Sequence, residues 1–241
     1  MGGRHRLLLD GERWDRLVGL SRHDAHKLVR VLRLSEGAAI EVFDGRGRCC
    51  PARLVRAGGG GWMVELDLES ASQTDESWRR VRLAFSLSKG RKPELVVRMA
   101  TEAGVSSIEP CLSARSIPRP DKLRAEQRLR RWRNVAREAA RQCGRSLIPE
   151  LQPLRPLGDI LEHLGEWKGV ILDPAGQVPF VEWLRANPES PLLLLVGPEG
   201  GWEPAELALA KKLGFACARM EGPVLRAESA AAVAAALACQ L

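Results

Sequence analysis

The chain has 241 residues, 45% of them hydrophobic, with 37 Lys and Arg against 30 Asp and Glu, a net charge of +7 and a pI near 9.4. That is enough apolar chain for one large core or two smaller ones, and the basic balance favours a polyanionic partner, nucleic acid first. The six cysteines form no C-x-x-C pair and no cluster with the four histidines, which argues against a metal such as zinc and for free thiols in a reducing compartment. No apolar leader and no run of about 20 apolar residues is present, so the expectation is a cytoplasmic protein with no membrane span.

The first segment, to about Glu69, reads as strand-rich. Leu7-Leu8-Leu9 is a short apolar run, and Asp24 to Leu34 predicts one helix with Ala25, Leu28, Val29 and Leu32 on a shared face. Ala39 to Phe43 alternates as a strand and ends at Asp44-Gly45, a turn signal. Cys49 to Val55 and Trp62 to Leu68 predict further strands on either side of four glycines. With no helix-length pattern after Leu34, a small β-barrel over residues 1–72 is expected, and barrels of this size present faces or loops to RNA. Ser70 to Ser77 reads as a linker or as a long surface loop, with a boundary near residue 75.

From residue 78 to 241 strand and helix alternate, which predicts an α/β domain with a mainly parallel sheet. The strands are Val81 to Leu87, Val105 to Leu112, Val170 to Leu172, Leu192 to Val196 and Phe215 to Met220. The helices are Pro93 to Ala103, closed by Gly104, then Lys122 to Arg145, and Glu228 to Leu241. Leu192 to Val196 is apolar throughout, the pattern of a strand buried on both faces. The Lys122 to Arg145 helix carries an apolar stripe through Trp132, Ala136 and Ala140. Arginines run along another face, read either as phosphate contacts or as a solvated or subunit-pairing face. Ser88 to Pro93 is a second basic segment, at the end of a parallel strand.

Three strand ends should meet at one edge of such a sheet: Leu172 to Gly176, Val196 to Gly201, and Met220 to Arg226. They read as a nucleotide-like ligand cleft held by backbone groups, or as three ordinary turns. G-x-G-x-x-G, G-x-x-x-x-G-K-[ST] and G-x-S-x-G are all absent, so dinucleotide, nucleoside-triphosphate and serine-hydrolase readings lose support.

Leu194 to Trp202 with Glu206, and then Gly222-Pro223-Val224-Leu225-Arg226-Ala227-Glu228-Ser229-Ala230, resemble the two signature loops of the ribosomal RNA small subunit methyltransferase E family, which belongs to the SPOUT class. The resemblance extends in order along the chain: Val31 to Leu34 with Phe43 to Gly45, Lys89 with Thr101 to Val105 and Ile108 to Pro110, and Glu138 to Arg145 with Pro149. The chain differs from the family pattern at Glu221, usually apolar, at Ser229, usually Thr, and at Ala114, usually Glu.

The resemblance implies a PUA-like β-barrel followed by a SPOUT domain with a C-terminal trefoil knot, working as a homodimer. It implies S-adenosyl-L-methionine as methyl donor, held by Leu172, Gly197, Pro198, Glu199, Gly200, Gly201, Gly222, Val224, Leu225 and Ser229. The substrate implied is one uridine, methylated at N3, in 16S rRNA of the small ribosomal subunit. Candidate RNA contacts are Arg4, Arg30, Arg33, Lys89, Arg91, Arg115, Gln142 and Arg145. Because N3 of uracil carries a proton, the chemistry needs a base or a cation that stabilises the uracil anion. Arg226 is the candidate for the cation; Glu228 either orients Arg226 or caps the last helix. The alternatives are an RNA-binding protein of this fold without catalytic activity, and a Rossmann-type enzyme acting on a small molecule.

Overall fold

The computed structural model describes residues 5–11, 13–74, 78–188 and 190–241. Arg4 therefore lies outside the described residues, as do Asp75, Glu76 and Ser77 of the expected linker. The chain forms two units, one of residues up to 76 together with 140–148, the other of residues 77–139 and 149–241.

The first unit is built from β1 (Arg6–Leu8), β2 (Leu17–Gly19), α1 (Arg22–Ala25), a π-helical segment (His26–Val31), β3 (Ala39–Phe43), β4 (Arg48–Arg56), β5 (Trp62–Leu66), a 3-10 turn (Leu68–Ser70) and β6 (Ser72–Gln73). Its strands run in the order β1-β3-β4-β5-β2, with β6 on β4. The β3–β4 turn forms as expected, because Asp44 Oδ1 accepts from the amides of Arg46 at 2.6 Å and Arg48 at 3.1 Å and Gly45 takes φ +77°. On β4 the alternation is plain: Cys50, Ala52 and Leu54 are buried, and Pro51 and Arg53 face out.

The single helix expected over 24–34 is instead a short α-turn that continues as a π-helix. It starts at Arg22, where Ser21 Oγ accepts from the Asp24 amide at 3.1 Å, and widens until Leu32 N bonds to Lys27 O at 2.9 Å. The wider turn carries Leu28 into the core and leaves Val29 and Leu32 packed against it, with Val31 exposed. It ends at Arg33, whose φ of +55° no helix continues. The expected linker also starts later than its composition suggests, since Ser72 and Gln73 pair with Cys49 and Arg48.

Residues 140–148 were expected in the second domain and belong to the first unit. The physical cause is Arg6. Its buried guanidinium donates to the carbonyl of Arg145 at 2.7 Å and to Ser146 Oγ at 2.8 Å, while its Nε meets Glu41 at 2.6 Å. Gly47 and Ile148 add backbone bonds to Ser146 and Gly45 at 3.0 and 2.9 Å.

The second unit contains β7 (Val81–Ser86), α2 (Lys92–Ala103), β8 (Ser107–Leu112), the first part of α3 (Lys122–Cys143), β9 (Glu150–Leu151), β10 (Arg155–Pro156), α4 (Leu157–Leu161), β11 (Lys168–Leu172), β12 (Val178–Pro179), α5 (Phe180–Ala186), β13 (Leu192–Val196), α6 (Pro204–Lys212), β14 (Ala216–Arg219) and α7 (Ala227–Gln240). The strand order is β10-β8-β7-β13-β11-β14-β12, with β9 on β8, and each described pairing is parallel. β13 sits centrally with all five residues buried. Leu193 and Leu195 join the cluster that includes Ile160, Trp202, Ala210 and Phe215, while α7 packs on β7 and β13. Helices on both faces are what its uninterrupted apolar run required.

Close approach fixes the turn after β11. A Cβ on Gly176 would lie 2.4 Å from the backbone carbon of Ala218, which cannot yield as a side chain would. Gly176→Ala is expected to destabilise the protein by about 2–3 kcal/mol, the upper part of the range for overpacking, read as a lower urea midpoint at unchanged m-value.

Candidate functional site

Because the sheet is parallel, the carboxyl ends of β11, β13 and β14 lie at one edge, with Leu172 level with both Val196 and Ala218. A cleft of about 780 Å³ opens there, lined by residues 172–174, 196–202, 219–227 and Ala230. Such a place in an open parallel sheet is where ligands bind.

The first two walls are held tightly. After β11, Asp173 Oδ1 accepts from the Ala175 amide at 2.8 Å, and Asp173 N donates to Ala218 O at 2.9 Å. After β13 the chain turns at Gly197, where a Cβ would come 3.0 Å from the Trp202 indole. That indole donates from Nε1 to Leu172 O at 2.9 Å and ties the glycine loop to β11. The loop closes through Gly201 N to Pro198 O at 2.9 Å, with Gly201 at φ +70°. α6 then starts in a reciprocal capping box between Glu203 and Glu206.

The turn after β8, two strands away, braces this loop from outside. Ser86, Ser113 and Ser116 form a buried hydroxyl cluster, with Ser86 to Ser116 at 2.9 Å and Ser113 to Ser116 at 3.0 Å. The turn they anchor presents the Ala114 amide to Glu206 Oε1 at 2.7 Å and Arg115 Nε to Glu203 Oε1 at 2.7 Å, while a second Arg115 nitrogen donates to Gly200 O. Arg115, expected to touch RNA, is engaged with the glycine loop. At residue 114 it is the backbone amide that makes the contact.

The third wall, Met220 to Arg226, is exposed from Glu221 onward, with Val224 83% accessible and Gly222 at φ +101°. Arg226 occupies the N-cap position of α7 without a side-chain hydrogen bond there. Glu228 lies in the first turn of that helix, and among the described residues its buried Oε2 has no hydrogen-bond partner. From the opposite side Lys92 Nζ meets Glu199 Oε1 at 2.6 Å. Burial pushes the Glu199 carboxyl up, but the hydrogen bond and charge of Lys92 outweigh it and hold the group below its usual range. Lys92 is raised, first by its hydrogen bond to Glu199 and further by the charges of Glu199 and Glu228, with Arg226 opposing.

Leu172, Gly197, Pro198, Glu199, Gly200, Gly201, Gly222, Val224, Leu225 and Arg226 all line the cleft. Ser229 and Glu228 stand beside it, in the first turn of α7, and not in its wall. Lys89 and Arg91 are exposed on the loop after β7. Arg30, Arg33 and Gln142 are exposed in the first unit, but Arg145 is only 8% accessible there, its carbonyl bonded to Arg6, so its side chain is not on the surface where an RNA contact was expected. Lys92, read from the sequence with Lys89 and Arg91 as a basic cluster at a ligand edge, is set apart from them by Glu199, a partner nothing local to it names. Among the described residues no group of three His, Cys, Asp or Glu side chains is placed to hold a metal, and no helix is long and apolar enough to cross a membrane.

The Lys92–Glu199 pair has a pH signature. A carboxyl lowered in the folded state stabilises above its ordinary value of 4.5 and loses that contribution as pH falls through the folded value. Glu199→Gln should therefore melt slightly below wild type at neutral pH and converge with it as the pH drops below that of an ordinary carboxylate. Both side chains are over a third exposed, so the gap is a few degrees at most; a gap that persists in acid would show that the pair is not its source.

Residues 75–239 match the family described as RNA methyltransferase domain, and residues 20–61 the RNA methyltransferase PUA domain. Ribosomal RNA small subunit methyltransferase E of Synechocystis is 31% identical over 230 residues, covering 90% of this chain and 71% of that protein. Its namesake in Mycobacterium tuberculosis is 32% identical, covering 85% and 79%. Among solved structures, ribosomal RNA small subunit methyltransferase E of Neisseria gonorrhoeae bound to S-adenosyl methionine superposes with a TM-score of 0.86 at 28% identity, over 97% of this chain and 96% of that one. A Legionella pneumophila protein in complex with the same cofactor gives 0.85 at 29% identity, covering 98% and 97%. With the strand-end cleft in the same domain that the family spans, and with a PUA match ahead of it, this chain belongs to the ribosomal RNA small subunit methyltransferase E family.

Proposed function

We propose that the protein transfers a methyl group from S-adenosyl-L-methionine to N3 of one uridine in 16S rRNA of the small ribosomal subunit, as a cytoplasmic homodimer. The observation that carries this reading is the convergence of the three strand-end loops on one cleft, with Arg226 in its wall and the Glu228 carboxylate beside it. The residues present fit the donor. The cleft volume of about 780 Å³ is in the range of small-ligand sites, and two of its walls are glycine loops that let backbone groups approach a ligand. Glu199, Glu221 and Asp173 add carboxylates suited to a cationic ligand.

When bound, the donor supplies a methyl group made electrophilic by its sulfonium. The chain's own residues have three tasks. Gly197 to Gly201 and Gly222 to Leu225 hold the donor from either side of the cleft, and Arg115 keeps the first of these loops in place. Arg226 stabilises the negative charge that collects on O2 or O4 of uracil as N3 is deprotonated. The Glu228 carboxylate, in the first turn of α7 beside the cleft, accepts the N3 proton. β13 is inserted between β7 and β11, which precede it in sequence, as a chain threaded into a trefoil knot would need. The exposed Val224 and Leu225 favour an assembly in which a second copy covers this rim and completes the RNA site.

The test is methylation of small subunits that lack the modification, followed by mapping of the methylated base; a product elsewhere than uridine N3 overturns the reading. Arg226→Ala and Glu228→Gln should each lower kcat about 10²-fold or more while calorimetry shows the donor still bound. A chain that fails to bind the donor at all would instead be an RNA-binding module. Arg115→Ala should raise the KM for donor about tenfold, equivalent to about 1.4 kcal/mol, with kcat little changed, and Arg115→Lys should recover part of the loss.

A further inference from the structure

Away from the cleft, α3 carries charge that its packing does not use. Between residues 122 and 139 it holds seven Lys and Arg against Glu126 and Glu138. Trp132, Ala136 and Ala139 are buried, and Trp132 meets Phe85 edge-on at 6.3 Å between ring centres. Arg131 pairs with Glu94 at 2.8 Å and Arg124 with Asp121 at 3.4 Å. Lys122, Arg130 and Arg133 are exposed, and among the described residues none has an ionic or hydrogen-bond partner. At 3.6 residues per turn these three fall within an arc of about 80° and span about 17 Å of helix axis. Glu126 is the one carboxylate in that arc.

A helix face kept merely soluble mixes signs and pairs them at i,i+4. Here the single carboxylate, Glu126, stands at i,i+4 from both Lys122 and Arg130, and among the described residues it pairs with neither. Nor does the face offer a protein partner a core, since Leu123 is the only large apolar side chain strongly exposed on the helix among the described residues. With Lys122, Arg130 and Arg133 set against one carboxylate and with no apolar filling, the face is complementary to a row of phosphates, which take guanidinium groups in bidentate contacts.

We infer that Lys122, Arg130 and Arg133 form a ridge that docks the sugar-phosphate backbone of the RNA substrate. This rests on the RNA methyltransferase reading and adds a contact surface to it. Phosphate contacts of this kind set register and affinity and leave base choice to the cleft. Each one neutralised releases counterions, so the ridge has a thermodynamic signature that a structural role lacks.

The experiment measures binding of a labelled 16S rRNA transcript to the full chain across about 50–200 mM KCl, where such contacts dominate affinity. The variants are Lys122→Ala/Arg130→Ala/Arg133→Ala, the single Arg133→Glu, and Arg130→Lys/Arg133→Lys. The triple variant should lower the slope of log K against log salt by about 2, from about 0.7–0.9 per lost contact, and weaken binding at least tenfold. Arg133→Glu should shift both in the same direction, and the lysine pair should keep the wild-type slope. Unchanged donor affinity by calorimetry shows that the variants are folded. A triple variant with wild-type affinity and slope overturns the ridge while leaving the methyltransferase reading intact. If the wild-type chain neither binds nor methylates 16S rRNA, both fall. A change in oligomeric state with an unaltered salt slope would assign the face to a second copy and overturn the RNA proposal.

Discussion

The hydrogen bond from the Trp202 indole to the Leu172 carbonyl, 2.9 Å long and buried, is the contact on which the cleft depends. β11 and β13 are adjacent and parallel, so their loops leave the sheet at the same level, but nothing in a ladder keeps two loops apart or together beyond its last rung. Trp202 does so by laying its ring across Gly197 and bonding to the end of β11. The glycine follows from this: with a Cβ 3.0 Å from the indole, no larger residue would fit without displacing the ring. Arg115, Glu203 and Glu206 add a second tier of bonds from the turn after β8, so the Gly200 carbonyl and the start of α6 are held from outside. The result is a preorganised pair of walls, whose ordering is complete before any ligand arrives.

The ion pairs of the second unit divide by burial. Glu109 is 1% exposed and shared between Arg82 at 2.6 Å and Arg155 at 2.9 Å. Removing one partner of such a buried pair costs about 3–5 kcal/mol, because a charge is stranded in low dielectric. Lys92–Glu199 and Arg115–Glu203 are exposed by a third or more, and pairs of that kind contribute little to stability. Their geometry matters for a different reason. Each joins a loop of one strand to the loop of another at the sheet edge, so each fixes where a loop sits at little energetic consequence for the fold. Stability and site geometry are therefore carried by separate sets of charges, and a change at the cleft edge can alter the reaction without unfolding the sheet.

Those parts of the structure that repeat over many residues were readable in the chain. Leu192 to Val196 announced a central strand by having no polar face, and Gly197 to Gly201 with Glu221 to Arg226 announced loops at its level. What escaped reading depended on partners distant in sequence. Arg145 looks like a surface arginine in a basic helix end, and only the reach of Arg6 draws that segment into the first unit. Lys92 is one of several cations in a loop until Glu199 selects it. The π-turn at His26–Val31 leaves no mark in the periodicity, because Leu28, Val29 and Leu32 share a face in a regular helix as well. β9, β10 and β12 are two residues each, below the length at which alternation can be seen.

The third wall differs from the other two in a way that bears on how the site works. Among the described residues, Met220 to Leu225 make no hydrogen bond, and most of that stretch is exposed, including an 83% accessible valine. The first wall is tied by Asp173 and Gly176, the second by Trp202 and Arg115. Backbone polar groups that find no internal partner must find one in solvent or in a ligand. A ligand in the cleft thus meets two finished walls and one whose amides and carbonyls are still available. Its affinity is reduced by whatever order the third wall lacks beforehand, and its specificity is raised, because only a molecule long enough to reach from Leu172 to Leu225 recovers those bonds. Arg226 and Glu228 follow immediately on that wall. Their placement is therefore tied to the conformation of that wall, the least constrained of the three.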